Sequence, residues 1–319
     1  MWRYVAKRLA LFVPTLLLVS LVIFGIIHVL PGDPAVLLAG GAEGLAGASA
    51  EKLAAVRQKL GTDQPLHWQY TRWVAGLVRG DLGTSFVYGT PVIDDLRARF
   101  PVSLQLAVMA FVVAHLIALP LGCLSAVRRN SMFDYLARVA TIAGVSVPYF
   151  WLAVLIVYGL VRVFGWLPPL GYQAIWEEPW TNLQQLVFPA LALGAADAAF
   201  VGRLTRSAML DVLREDYVRT ARAKGLADGS VVWRHAMKNA LLPVATVSGW
   251  SFGRLMGGTV ITEAVFLVPG MGSLLLDGLS RRDFPLVQAI VLLVAVVVLV
   301  VNLAVDLVYA WLDPRIRYA

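Results

Sequence analysis

Apolar residues in this chain gather in long unbroken runs, with polar segments of unequal length between them. Six runs reach the roughly 20 helical residues that a hydrocarbon layer of about 30 Å requires. They are residues 9–30, 102–127, 139–164, 188–209, 241–266 and 286–312. The pattern predicts an all-α integral membrane protein with six transmembrane helices. Spans four and five each carry a charge inside the apolar run, Asp197 and Arg254.

The longest connection, residues 31–101, carries helix signals of its own. Pro31 and Pro34 end the first span, because neither can donate an amide to a continuing ladder. Residues 49–60 read as a short helix with Ser49 as its cap and Gly61 as its stop. Pro65 suits the start of a second, in which Leu66, Tyr70, Trp73 and Leu77 recur at helical spacing. With Trp68 beside them, these rings favour the headgroup region. Pro91 starts a third short helix, with Ile93, Leu96 and Phe100 on one face, and Pro101 opens the second span.

The connection between spans four and five is basic. Residues 212–223 favour a helix that Gly225 ends in a left-handed turn. Ser230 is placed to cap a second helix through Ala240, and Pro243 marks the start of the fifth span. Two helices joined by a tight turn form a stiff lever on the inner face.

The composition, 59% apolar and 15% charged, with a mean hydropathy of +0.73, puts most of the chain in lipid. The net charge of +7 does not point to nucleic acid, because its positives flank apolar spans instead of forming one solvated patch. Arg3, Lys7, Arg8, Arg128, Arg129 and Arg138 lie beside the first three spans, and a basic run from Arg203 to Lys238 follows the fourth. Residues 165–187 hold no Lys or Arg. The positive-inside rule therefore places both termini in the cytoplasm. The first apolar run is too long for a leader, and the Ala-Ser-Ala at 48–50 lies too far beyond it, so it reads as a retained anchor.

Several chemistries lack their residues. There is no Gly-x-x-x-x-Gly-Lys-Ser/Thr loop to cradle phosphate, no His-Glu-x-x-His and no Gly-x-Ser-x-Gly. The histidines at 28, 67, 115 and 235 have no metal-ligand spacing, and Cys123 is the only cysteine. His115, inside span two, suits an interhelical hydrogen bond or a substrate contact. An autonomous secondary transporter or channel would show internal repeats with paired broken helices, and none is visible. A membrane enzyme lacks its constellation.

The positive identification comes from ordered motifs. Arg219-Thr-Ala-Arg-Ala-Lys-Gly225 runs into Arg234-His-Ala-Met-Lys-Asn-Ala-Leu-Leu-Pro243. Upstream lie Leu30-Pro-Gly-Asp-Pro34, Leu60-Gly-Thr-Asp-Gln-Pro65, Gly80-Asp-Leu-Gly-Thr-Ser-Phe86 and Gly144-Val-Ser-Val-Pro-Tyr-Phe-Trp151. Downstream lie Gly257-Gly-Thr-Val-Ile-Thr-Glu-Ala-Val-Phe266, Pro269-Gly-Met-Gly272, Arg282-Asp-Phe-Pro285 and Asp313-Pro-Arg-Ile-Arg317. In this order they resemble the permeases of binding-protein-dependent ABC importers, in the dipeptide, oligopeptide and nickel family. The general permease motif opens with Glu-Ala-Ala; here Arg219-Thr-Ala221 stands in its place, as in the peptide subfamily. The resemblance does not supply Asp197 or Arg254.

That resemblance implies a type I ABC importer permease fold with an N-terminal outer segment of short helices. It divides the chain into residues 1–30, an external segment 31–101, and a core 102–319 that includes a coupling loop at 211–243. It implies a bacterial inner-membrane complex with a homologous second permease, two ABC ATPases and an external substrate-binding protein. ATP and Mg would sit in the ATPases, with no cofactor on this chain. Dipeptides or oligopeptides are the expected cargo, with a nickel chelate as the alternative. Arg219, Ala221, Arg222, Lys224, Gly225 and Arg234 are the coupling candidates, and Gly225 is the turn between lever helices. Glu263, Pro269, Gly270, Met271 and Gly272 are the candidates for an outer gate, where the chain cannot continue a regular helix.

Asp197 and Arg254 need a partner or a wet cavity, since each unpaired charge costs on the order of 2.5–3.5 kcal/mol at mid-membrane. Counted from the outer ends of spans four and five, they lie roughly 13 Å and 18 Å deep. That difference is within an arginine's reach. Mutual pairing, a water-lined pathway that grips a peptide terminus, and pairing with the second permease all remain open.

Overall fold

In the computed structural model, residues 2–29, 33–40 and 49–312 are described. The readings placed on residues 30–32 and 313–317 lie outside them. The described chain is helical, with one isolated antiparallel bridge between Thr84 and Pro91 and no strand among the described residues. Among the described residues, four helices are long and apolar enough to cross a membrane singly, and two sharply bent helix pairs raise the number to as many as six if each pair is one span.

The chain falls into two units, one built from Met1–Val102 and Pro269–Leu299, the other from Ser103–Val268 and Val300–Ala319. The first unit contains α1 (Trp2–Val29), α2 (Pro34–Gly40), α3 (Ala50–Leu60) and α4 (Leu66–Val78). It also takes in the start of α5 (Val92–Val127). Ser49 accepts from the Lys52 amide, and Gly61 closes α3 at φ +72. Tyr70 and Trp73 of α4 pack on Phe24 of α1, and Ser20 and Tyr70 share a hydrogen bond of 3.0 Å. Asp283, fully buried, accepts from the Ser85 hydroxyl and, at 3.1 Å, from the Phe86 amide. Tyr88 donates to Asp277, and that hydrogen bond holds its phenol above the ordinary pKa.

The expected short helix at 91–100 does not stop at Pro101. It runs on as α5, 36 residues in one piece. Proline removes one ladder bond, and in a membrane protein neighbouring helices can carry that loss.

The second unit holds the rest of α5, α6 (Met132–Ser146), α7 (Tyr149–Phe164), α8 (Pro179–Val212) and α9 (Asp216–Ala223). After these come the turn α10 (Asp228–Ser230) and α11 (Met237–Phe266). Back in the first unit is α12 (Met271–Arg281); α13 (Phe284–Leu312) has residues in both. The continuous third span expected at 139–164 is corrected: α6 and α7 meet at a 101° bend. Pro148 disfavours the helical conformation in the residue before it, and Val147 is extended at φ −84, ψ 122.

Small residues bring α5 and α8 together. Ala110, Ala114, Ala118 and Gly122 are buried along α5, opposite Ala190, Gly194, Ala198 and Gly202 of α8. Without a hydrophobic force between helices in lipid, such close approach supplies the packing energy.

Candidate coupling and translocation site

The basic connection folds as one short helix and an apex. Val218 and Ala221 of α9 are buried against Val231, with Val212 and Leu213 packed around them. The Asn239 amide donates to Tyr217 Oη at 2.7 Å and fastens α9 to the base of α11. Residues 222–229 are all exposed, and Gly225 turns the chain at φ +78. Arg219, Arg222, Lys224 and Arg234 point into solvent, whereas Ala221 faces the core. Arg222 also reaches Asp228 at 3.3 Å.

The expected cap at Ser230 is not made. Ser230 is helical, at φ −66 and ψ −39, with no side-chain cap bond. The helix starts at Asp228, widens to a π-turn over Val231–Ala236, and continues into α11 through Pro243. The second lever helix is thus the root of span five itself. Val232, Ala236, Met237 and Ala240 bury this root against Cys123 and Ala126 of α5 and Met209 of α8. Burial of the π-turn's inner face outweighs the local preference of Ser230 for a cap, since a capping bond offers only about 1 kcal/mol. π-turns of this kind are frequent at functional sites.

Inside the membrane span, Asp197 and Arg254 are in contact. Arg254 Nη2 donates to Asp197 Oδ1 at 2.5 Å, and the Ser251 hydroxyl donates to the same oxygen. Asp197 is fully buried, while the Arg254 side chain keeps 44% of its exposure. Its guanidinium lies 5.3 Å from the Phe200 ring centre and 5.0 Å from that of Trp250. Asp197 Oδ2 has no hydrogen-bond partner among the described residues. His115 is hydrogen-bonded to the Phe111 carbonyl at 2.8 Å and to Ser248 at 2.7 Å, which ties α5 to α11.

Sequence reading missed a second buried network. Asp134, fully buried at the start of α6, takes Arg206 Nε at 2.7 Å and Nη2 at 2.9 Å. The Ser125 hydroxyl and the Asn130 amide donate to it as well. The one available signal was an acid placed three residues after Ser131, which reads first as helix-start chemistry.

Among the gate candidates, Glu263 is buried on α11 and accepts from Ser103 at 2.6 Å. The helix break falls at residues 267–270, with Leu267 left-handed at φ +56. Met271 and Gly272 are not part of the break: they open α12, and both are buried.

Comparison with known proteins now decides the family. Residues 118–318 match the family described as binding-protein-dependent transport system inner membrane component. Residues 1–107 match the N-terminal family of the same membrane components. The chain belongs to this permease family. It is 43% identical over 318 residues, with 100% of each chain covered, to the glutathione transport system permease protein GsiC of Salmonella paratyphi A. Its identity to the GsiC protein of Escherichia coli K12 is 42% over the same span.

A solved structure titled inward facing conformations of the MetNI methionine ABC transporter, in its SeMet-soaked CY5 crystal form, shares the fold. That match has a TM-score of 0.59 at 18% identity and covers 70% of this chain and 98% of that one. The native CY5 form matches at a TM-score of 0.57 and 17% identity, with the same coverage. The chain is a membrane-spanning permease subunit of a bacterial binding-protein-dependent ABC importer. The secondary-transporter, channel and membrane-enzyme readings give way to this membership.

Proposed function

We propose that this permease carries short peptides into the cytoplasm as part of an importer with a second permease, two ABC ATPases and an external binding protein. The full-length likeness to permeases named for glutathione, itself a tripeptide, supports peptide cargo. Both termini are cytoplasmic in this reading, residues 31–101 face outside, and residues 102–319 form the core. ATP and Mg are held by the ATPases, and this chain binds neither.

The observation that carries the coupling role is the exposed basic apex at 222–229, set on a helix whose other face is buried. Such an element moves as a body, so closure of an ATPase beneath it tilts α9 against the root of α11. Arg219, Arg222, Lys224 and Arg234 supply the contacts, Gly225 sets the turn, and Ala221 seats the helix. Gly225→Val tests this directly. A Cβ there meets no atom within 4 Å, and the change acts chiefly by straining the backbone at φ +78. That strain is worth roughly 1–2 kcal/mol. In proteoliposomes of the whole complex, ATP-driven glutathione uptake should fall about tenfold while hydrolysis continues. Normal uptake at normal protein levels would remove the coupling role.

In the same reading, residues 266–276 close the outer gate near the second permease. Leu267 and Leu276 are the exposed apolar groups of this stretch. Leu276→Cys should crosslink to the second permease in the resting complex and lose that crosslink when ATP is trapped. A crosslink yield at background in both states counts against the gate.

A further inference from the structure

The exposed face of α11 differs from surfaces built for lipid. Along it stand Thr246, Trp250, Arg254, Gly257, Ile261 and Ala264. The exposed face of α5 carries Val108, Val112, Leu116, Ile117 and Leu124 instead. A cation with 44% of its side chain exposed at mid-span does not sit in hydrocarbon. The flanking Gly257 and Ala264 leave room beside it, and an added Cβ on Gly257 would meet nothing within 4 Å. We propose that Arg254 lines the translocation pathway and takes the free carboxylate of a passing short peptide.

Four features fit this role. Asp197 holds the guanidinium from the buried side through a single oxygen, Oδ1, to which the Ser251 hydroxyl also donates. Nε and Nη1 make no hydrogen bond to the described residues, which leaves donors for a second carboxylate. Trp250 and Phe200 flank the cation and restrict its swing, so it meets cargo already oriented. Fully buried Asp197 balances the charge, so the site attracts an anion without holding it as a bare cation would. A transport site has to release what it binds.

This inference rests on the import reading, and its first test does not need that reading to succeed. Arg254→Cys is combined with Asp197→Asn, which avoids an unpaired buried acid, and with Cys123→Ala, which removes the native thiol. In the reconstituted complex, methanethiosulfonate ethylsulfonate should modify this cysteine at least about tenfold faster than Leu116→Cys on the apolar exposed face of α5. Equal rates would mean that lipid or the second permease covers the position, and would overturn the proposal.

The second test compares uptake of glutathione with that of its glycine-carboxyl amide. The native importer should favour the free acid about tenfold, as expected for one charge-assisted hydrogen-bonded contact. Asp197→Asn/Arg254→Met should lose that preference, and Arg254→Lys should keep part of it. A preference that survives in the double variant, or is missing from the native complex, overturns the carboxylate role. If ATP-driven uptake of both compounds is absent from the native complex, the import reading fails, and the cysteine test alone decides whether Arg254 faces water.

Discussion

Replacing Arg206 by methionine should strip most of the folded protein from the membrane. Asp134 is fully buried and receives two parallel bonds from the Arg206 guanidinium, at 2.7 and 2.9 Å. Methionine keeps the length and removes the charge. The carboxylate is then left with the Ser125 hydroxyl, the Asn130 amide and the more distant Arg138, whose nitrogen lies 3.7 Å away. Removing one partner of a buried ion pair costs about 3–5 kcal/mol, because the other charge stays desolvated. Total stabilities are only about 5–15 kcal/mol, so the loss is decisive. Asp134→Asn combined with Arg206→Met should recover much of it, since the amide carries no charge. Size-exclusion yield in detergent and the thermal midpoint read both outcomes. A single variant that matches the native protein in both would show that Arg138 can replace Arg206.

The features that sequence made legible depend on local chemistry or on bulk composition. The α3 boundaries follow from Ser49 and Gly61 because a cap and a left-handed stop involve only neighbouring residues. Four of the spans follow from apolar length. The depth arithmetic for Asp197 and Arg254 needs only the helical rise, and the two side chains meet at 2.5 Å.

What escaped depends on packing between distant segments. Pro101 looks like a boundary in isolation, yet α5 passes through it, whereas Pro148 does break its span. The same residue type behaves in two ways because the surrounding helices decide whether a lost bond can be carried. Ser230 had the chemistry of a cap, but the core around Ala236 and Met237 draws the helix past it. The pairing of Asp134 with Arg206 spans 72 positions, and no local pattern announces it. Ala221 sat in the basic motif with its neighbours, and only the fold separates its buried face from their exposed one.

Gly122→Leu should be nearly as damaging as Arg206→Met, for a steric reason. A Cβ at Gly122 would sit 2.6 Å from the Gly202 carbonyl oxygen, 2.7 Å from Thr205 Cβ and 3.0 Å from the Arg206 amide. Two of these three atoms are helix backbone, which cannot turn aside as a flexible side chain would. The helices must therefore separate, and overpacking of this kind costs on the order of 3 kcal/mol. Gly159→Leu on α7 is the matched control: its Cβ meets no atom within 4 Å, so folded yield should hold. Equal yields for the two variants would show that α5 and α8 can slide apart without penalty. The expected damage reaches beyond stability. Gly122 lies one turn before Ser125, which shares Asp134 with Arg206, and α8 also carries Asp197, which anchors Arg254. A wedge at this one glycine would misplace both buried carboxylates at once, so the small residues of α5 set the geometry on which the intramembrane charges depend.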